Sequence, residues 1–291
     1  VSLLFHLITA LFIFGAVRRT LELPVFGNRF IGASGWLAFA SAGLWAVHPL
    51  TTAAVAPVAQ RFELMMAMFY TATLYCVVRG SSSGSLKLWD AGAVSACVLG
   101  MGCKEIMVTA PLAVLLYEWT FFPERPITTA IRNRRLLHAG LGCSWLVLIV
   151  LMQVGRPADT TTGYAWKGIS WSEYVMMQPA AICRYLYLAV WPADMCFDYQ
   201  WTSAGGLRVV SGPAIFVGLV VAVSVVLVIR RKKSGYLAAL FFLVLAPTSI
   251  ISRPDVIVEH RAYLPLVAVV ITFVVGLYTL IARGHIVRAF I

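Results

Sequence analysis

Ionisable side chains gather in four short segments, each at the end of an apolar run. In chain order the segments are His48–Glu63, Gly102–Glu105, Cys183–Tyr199 and Glu259–Pro265. Each combines Arg, Lys or His with carboxylates, and such groups are costly at membrane depth and therefore usually functional. Cations can hold a phosphate and a carboxylate can accept a proton. The pattern predicts a membrane-embedded site for an anionic, lipid-linked substrate.

The first two segments have a structural and a functional interpretation. Glu63 suits the first turn of a helix, where a carboxylate faces the positive end of the helix dipole. Arg61 gains nothing from that dipole and needs an anion, and a guanidinium can bind phosphate bidentately. Lys104 and Glu105 stand between apolar stretches with almost no loop. This favours a cavity, where Lys104 would neutralise a departing phosphate and Glu105 would hold it or act as a base.

The last two segments add aromatic residues to the charges. Tyr and Trp alone would mark only a membrane interface. Arg184 and two Asp residues within RYLYLAVWPADMCFDY favour contacts with an acceptor or a sugar. A short turn near Glu259 also holds more ionisable residues than a solvated hairpin needs, so we expect binding groups there.

Composition excludes an ordinary soluble domain. The chain has 60% hydrophobic and 12% charged residues and a mean hydropathy of +0.86, which leaves too little polar surface to cover it. We predict an all-α polytopic membrane protein with about nine transmembrane helices. The predicted spans are Ser2–Val17, Ile31–Val47, Phe62–Val78, Ala91–Cys103, Ile106–Phe122, Leu136–Val154, Pro213–Ile229, Tyr236–Ile251 and Ala262–Ile281.

The net charge of +11 follows from topology rather than from nucleic-acid binding, for which no motif is present. Fifteen of the 23 basic residues fall in alternate loops, which the positive-inside rule makes cytoplasmic. All four polar segments then lie on the extracytoplasmic side. We therefore expect a multi-pass protein, of a bacterial inner membrane or its endoplasmic-reticulum equivalent, in contact with membrane lipids.

This topology makes residues 155–212 one long external segment. Within it, Pro179–Trp191 is predicted as a re-entrant or interfacial helix, because counting it as a span would reverse the sidedness of later loops. The stretch TTGYAWKGISWSEYVMMQ is typical of an amphipathic element at the headgroup level. Cys183 and Cys196 are both external, which leaves a disulfide open. No metal-ligand spacing stands out and no cofactor is required, but scattered carboxylates leave a divalent cation open.

Four blocks resemble the membrane half of the TMTC family, the transmembrane and tetratricopeptide-repeat proteins of the GT-C glycosyltransferase superfamily. The blocks are LWAVHPLTTAAVAPVAQRFELMMAMFY, KEIMVTAPLAVLLYEW, RYLYLAVWPADMCFDYQW and EHRAYLP. The resemblance implies one GT-C-like domain over residues 1–291. It also implies transfer of a mannose-like sugar from a polyprenyl-phosphate carrier to Ser or Thr hydroxyls of an extracytoplasmic acceptor protein.

An inverting transfer of this kind needs a base, cations for the leaving phosphate and groups that hold the sugar. The chain begins inside what matches the family's second span. We therefore expect a partial domain without the acidic first external loop, which supplies the family's base, or the C-terminal repeats. Candidates for the catalytic carboxylate are Glu63, Glu105 and Asp198. Candidates for binding the carrier phosphate or sugar are His48, Arg61, Lys104, Arg184, Tyr185, Glu259, His260, Arg261 and Tyr263.

Two other functions stay open at this point. A missing base loop fits a non-catalytic subunit that descends from such an enzyme and packs in a larger membrane complex. A transporter or lipid flippase would use the same buried charges along a pathway. Inverted repeats would support a transporter, and we find none in the sequence.

Overall fold

A computed structural model describes residues 1–81, 86–124, 126–154, 170–196, 199, 206–251 and 255–289. Side chains are described for all of these except 206–210 and 283–289. Throughout the described ranges, the regular structure is helical. The α-helices are α1 (Ser2–Leu21), α2 (Ser34–Ala46), α3 (Thr52–Val55), α4 (Arg61–Ser81), α5 (Leu86–Met101), α6 (Ala110–Phe121), α7 (Ile127–Asn133), α8 (Arg135–Val154), α9 (Trp171–Val190), α10 (Gly206–Ile229), α11 (Lys233–Ile250) and α12 (Leu266–Ala289). Short 3₁₀ turns cover Pro24–Phe26, Pro49–Thr51, Val58–Gln60, Glu105–Thr109 and Glu259–Ala262.

Four of these helices are long and apolar enough to cross a membrane. They are Ser2–Leu21, Arg135–Val154, Ser211–Ile229 within α10, and Lys233–Ile250, and the described part of α12 adds a shorter apolar helix, Leu266–Ala282. The prediction of helical structure is confirmed over the described residues, and these four helices are compatible with a membrane protein. Each of the predicted spans contains a helix, but α2, α5 and α6 have 13, 16 and 12 residues. These are shorter than the ~20 residues that a straight crossing needs.

The long helices pack side by side and give the bundle two ends. α1 packs against α2 and α4, α4 against α5, α5 against α8, and α12 against α2 and α11. We call the end where α1 and α4 begin the site end, because α2 and α5 end there beside the polar segments. We call the other end, where α1 and α4 end, the opposite end. Proline explains the break at the site end, since Pro49 and Pro57 interrupt the chain between α2 and α4 with short turns.

The helix α9 differs from the predicted Pro179–Trp191. It begins eight residues earlier, at Trp171, and Pro179 lies inside it. A capping box explains the earlier start, because the Ser170 hydroxyl accepts from the Glu173 amide while the Ser170 amide donates to the Glu173 carboxylate. The Ser170 hydroxyl also donates to the Glu173 carboxylate at 2.6 Å, and this bond, together with the one from the Ser170 amide, lowers the pKa of Glu173 below its ordinary value. The predicted helix is therefore present but longer at its N-terminal end.

α9 lies across the site end along its whole length. Its first residue, Trp171, donates an indole N–H to the carbonyl of Ile250 at the end of α11. Further along, Tyr185 accepts from the Val258 amide, and the Ala189 carbonyl contacts His48. This position covers the turns between the bundle helices. Cys183 and Cys196 are not joined by a disulfide.

Candidate functional site

The structure joins the four polar segments at the site end through side-chain contacts. Glu63 of the first segment pairs with Lys104 of the second. His48 of the first contacts the carbonyl of Ala189 in the third at 3.2 Å. The third and fourth segments join where the Tyr199 hydroxyl donates to the Glu259 carboxylate at 2.5 Å. The predicted gathering of these segments at one end of the molecule therefore occurs in the fold.

The ion pair of Glu63 and Lys104 is the most buried charged contact in this region. Glu63 is 1% exposed in the first turn of α4, and Lys104 is 13% exposed directly before the 3₁₀ turn Glu105–Thr109. The ammonium contacts Oε2 of Glu63. The second oxygen, Oε1, is buried and has no hydrogen-bond partner among the described residues. An ionised buried carboxylate ordinarily fills all its acceptor sites, so this oxygen is an exception that invites a ligand.

A second buried group, around Tyr263, lies beside this pair. Tyr263 is fully buried, close enough to Glu63 for an electrostatic interaction, and its hydroxyl contacts Nδ1 of His6 at 2.7 Å. The other ring nitrogen, Nε2, lies 3.0 Å from the Ala46 carbonyl, which can only accept. Nε2 therefore carries the proton, and Nδ1 accepts from Tyr263. Trp45 stacks on His6 and donates to the Tyr263 carbonyl at 3.0 Å, which fixes the position of the tyrosine.

The third and fourth segments bring aromatic rings, a carboxylate and a guanidinium together. Glu259 is 5% exposed, and its Oε1 accepts from the Cys196 amide at 2.8 Å as well as from Tyr199. Burial raises the pKa of Tyr199, and its hydrogen bond to Glu259 raises it further. The Arg184 guanidinium lies over the rings of Tyr199 and Tyr187, at 5.5 and 5.2 Å from their centroids. Such stacking leaves the edge of a guanidinium able to bind an oxyanion.

Arg184 is only partly engaged by the protein. One Nη2 contact reaches the carbonyl of Asp194 at 2.6 Å, and the buried Nε has no hydrogen-bond partner among the described residues. Asp194 itself adopts a left-handed backbone with φ of 54°. Asp is one of the few non-glycine residues that tolerate this conformation.

Arg261 has a different environment from the one that the sequence suggested. It is 5% exposed, and its guanidinium donates to the Tyr174 hydroxyl and to the carbonyls of Val256 and Asp255 at 2.8 to 3.1 Å. Tyr174 in turn donates to the carbonyl of Thr248 at 2.7 Å. These contacts hold the turn before α12 against α9, so the geometry favours a structural role for Arg261. Phosphate binding by this residue stays a prediction.

Two further candidates have their polar groups used within the protein. His48 accepts from the Leu50 amide through Nδ1 and contacts the Ala189 carbonyl through Nε2, and burial lowers its pKa. Tyr185 accepts from the Val258 amide, and burial raises the pKa of its hydroxyl. Both residues therefore shape the site by holding neighbouring backbone.

The other candidates occupy less enclosed positions. Arg61 is exposed at the start of α4, and Glu105 and His260 are half-buried within 3₁₀ turns. Asp198 lies outside the described residues. A search of the described part of the chain found no group of three or more His, Cys, Asp or Glu side chains that could hold a metal ion.

Two histidines that are not among the predicted site residues have polar neighbours in the structure. His6 belongs to the Tyr263 group described above. His138 lies at the opposite end, 2.9 Å from the carboxylate of Glu118, which also pairs with Arg134. Arg134 pairs with Asp90 as well. The signal for this second cluster was the placement of Asp90 and Glu118 beside or within apolar stretches.

Comparisons with family models, with curated proteins and with solved structures gave no match to this chain. The class that the fold and site define is therefore a helical protein with four helices able to cross a membrane and a buried, charged group of side chains at one end.

Proposed function

We propose that the site end transfers a mannose-like sugar from a polyprenyl-phosphate carrier to Ser or Thr hydroxyls of an acceptor protein. The observation that carries the proposal is the buried pair of Glu63 and Lys104, in which one carboxylate oxygen lacks a partner among the described residues. A buried charge pair costs desolvation and is weak support for stability alone. A carboxylate next to a cation suits a reaction that takes up a proton and releases a phosphate.

The reaction assigns one role to each partner of this pair. The carrier phosphate binds Lys104 and competes with Glu63 for the ammonium. The released carboxylate then accepts the proton of the acceptor hydroxyl, whose oxygen attacks the anomeric carbon. The bond between that carbon and the phosphate oxygen breaks, and the polyprenyl phosphate leaves with the electron pair, neutralised by Lys104. Arg184, stacked on Tyr199 and Tyr187, supplies a second cation and aromatic faces beside the sugar.

The finer architecture belongs to the same proposal. Nine spans with α9 as an interfacial helix would bring all four polar segments to the extracytoplasmic side, in a GT-C-like arrangement of a bacterial inner membrane. Supporting it, each predicted span contains a helix, and contacts such as that of Glu63 with Lys104 join the starts and ends of neighbouring helices at one end. Fifteen of the 23 basic residues belong to loops on the other side in this topology.

The experiment that tests this function is a transfer assay with the full-length protein in membranes. A radiolabelled polyprenyl-phosphate sugar and a Ser/Thr-rich acceptor are supplied to the wild type and to Lys104→Ala. We expect label to enter the acceptor with the wild type and at least about a hundredfold less with the variant, the loss typical of a group that stabilises transition-state charge. Arg61→Ala, an exposed cation at the same end, shows how much of the loss is specific to the buried position.

A second candidate function has its own supporting observation. Arg261 and His48 make contacts within the protein that leave their binding groups engaged, as expected for a non-catalytic subunit of a larger membrane complex. Absence of transfer with every common carrier sugar, from protein shown to be folded, would favour this function. Recovery of a stoichiometric partner on gentle solubilisation would then be the next observation to seek.

A further inference from the structure

A large apolar cavity lies between the helices toward the opposite end, away from the site described above. Its volume is about 310 Å³, and it is lined by residues of α1, α4, α6, α11 and α12. Residues such as Ile13, Leu74, Phe121 and Ile271 give it hydrocarbon walls. A cavity of this size is at the lower bound of sites that hold small organic ligands.

Most hydroxyl groups in the cavity wall, five of seven, bond to partners within the protein. Thr20 bonds to the hydroxyl of Tyr117 at 2.9 Å. Thr71, Thr272 and Thr279 donate to carbonyls of their own helices at 2.7 to 3.0 Å. A cavity whose wall hydroxyls are bonded in this way offers water few hydrogen bonds, because a buried water needs two to four polar partners. The cavity is therefore suited to a hydrocarbon chain.

The mouth of the cavity carries a cation. Lys233 and the exposed Ser234 line it at the start of α11, and the Lys233 ammonium lies 6.0 Å from the ring centroid of Phe26, another lining residue. Within the described ranges no salt bridge is formed by Lys233. It ends the basic run Arg230–Lys233. Basic pockets between membrane helices attract anionic lipid headgroups.

We propose that this cavity binds one chain of an anionic phospholipid, with the lipid phosphate on Lys233 and Ser234. The occupant is a phospholipid of the surrounding leaflet, because the cation stands at the opposite end from Glu63 and Lys104. The site does not depend on the glycosyl-transfer reaction. The role of the bound lipid is to hold α11 and α12 against α1 and α4, because these helices leave the cavity between them.

The test is native mass spectrometry of the purified full-length protein, titrated with phosphatidylglycerol or phosphatidylcholine of equal chain length. We expect one bound lipid and an approximately fivefold preference for phosphatidylglycerol, the effect of about one cation near a lipid phosphate. Lys233→Ala should abolish the preference, whereas Lys232→Ala, at an exposed neighbour that does not line the cavity, should keep it. A preference that survives in Lys233→Ala would overturn the proposed headgroup site.

A second pair of variants tests the cavity itself. Gly276 lines the cavity, and a Cβ added there meets no heavy atom within 4 Å, so the side chain of Gly276→Leu begins in open space. This variant should weaken the binding of both lipids at least about tenfold, because about two methylenes of the lipid chain can no longer be buried. Gly218→Leu in α10 is equally open and does not line the cavity, and it should bind like the wild type. Unchanged lipid binding in Gly276→Leu would overturn the assignment. Displacement of phosphatidylglycerol by polyprenyl phosphate in the wild type, but not in Gly276→Leu, would overturn it as well.

Discussion

The two ends of the bundle both bury charged side chains, but they satisfy them differently. At the opposite end, Arg134 is 9% exposed and pairs with both Asp90 and Glu118, and the second oxygen of Glu118 lies 2.9 Å from Nε2 of His138 without forming a hydrogen bond among the described residues. At the site end, Lys104 pairs with one oxygen of Glu63 and leaves the other without a partner among the described residues. A guanidinium shared between two carboxylates is typical of a structural lock. A carboxylate held by a single lysine keeps an oxygen for a ligand.

This difference shows that burial of charge alone does not identify a functional site. Desolvation costs are incurred at both ends, and only the pairing of individual atoms distinguishes them. The comparison yields three predictions about stability. The expected change in stability is large where a buried cation holds several partners and small where one group titrates.

The largest effect is expected for Arg134→Ala. Removing the guanidinium leaves the buried Glu118 and the partly buried Asp90 without their shared cation, and breaking a buried ion pair typically costs about 3–5 kcal/mol. The measurement is the free energy of unfolding in detergent by denaturant titration. The control is Arg135→Ala, an exposed neighbour, which should change it by less than about 0.5 kcal/mol. Equal stability of the two variants would contradict a structural lock at this end.

A smaller effect, of about 2 kcal/mol, is expected for Arg261→Lys. Lysine keeps the charge but cannot reach Tyr174 and two carbonyls together, and each hydrogen bond from a charged donor contributes about 1.5–3 kcal/mol. The unfolding free energy of this variant should be compared with that of Arg61→Lys, which is exposed at the same end. If Arg261→Lys unfolds like the wild type yet loses transfer activity, Arg261 binds the substrate instead.

The smallest effect concerns pH and His48. Burial lowers the pKa of this imidazole in the folded state below its unfolded value of about 6.5. The unfolded state therefore binds the proton more readily, and the contribution of His48 to stability is present above about pH 6.5 and is lost below it. Between pH 7.5 and pH 5.5, the wild type should lose more thermal stability than His48→Asn. Parallel losses in the two proteins would show that His48 does not titrate differently on folding.

The sequence predicted the helices and the gathering of the polar segments better than the atomic roles within them. Apolar runs of sufficient length can only be satisfied as helices, so each predicted span contains one. Successive helices run in opposite directions, so Glu63 at the start of α4 and Lys104 just after α5 lie at the same end. Which donor each polar group bonds to depends on side-chain positions in three dimensions. The engagement of Arg261 by Tyr174 therefore could not be read from spacing.

Two features escaped prediction for identifiable physical reasons. Asp90, Glu118 and Arg134 come from separate elements, and the basic residues of this end were interpreted only as a topology signal. The predicted helix Pro179–Trp191 begins earlier, because the capping box at Ser170 starts α9 at Trp171 and the helix accommodates Pro179 in its interior.

The measurement that tests the central claim most directly compares transfer activity and unfolding free energy in the double variant Glu63→Gln/Lys104→Met. This variant removes both buried charges together, so neither is left without a counterion. We predict stability within about 1 kcal/mol of the wild type and loss of at least about a hundredfold in sugar transfer. A stable double variant that transfers sugar at the wild-type rate would contradict the claim that this pair carries the chemistry.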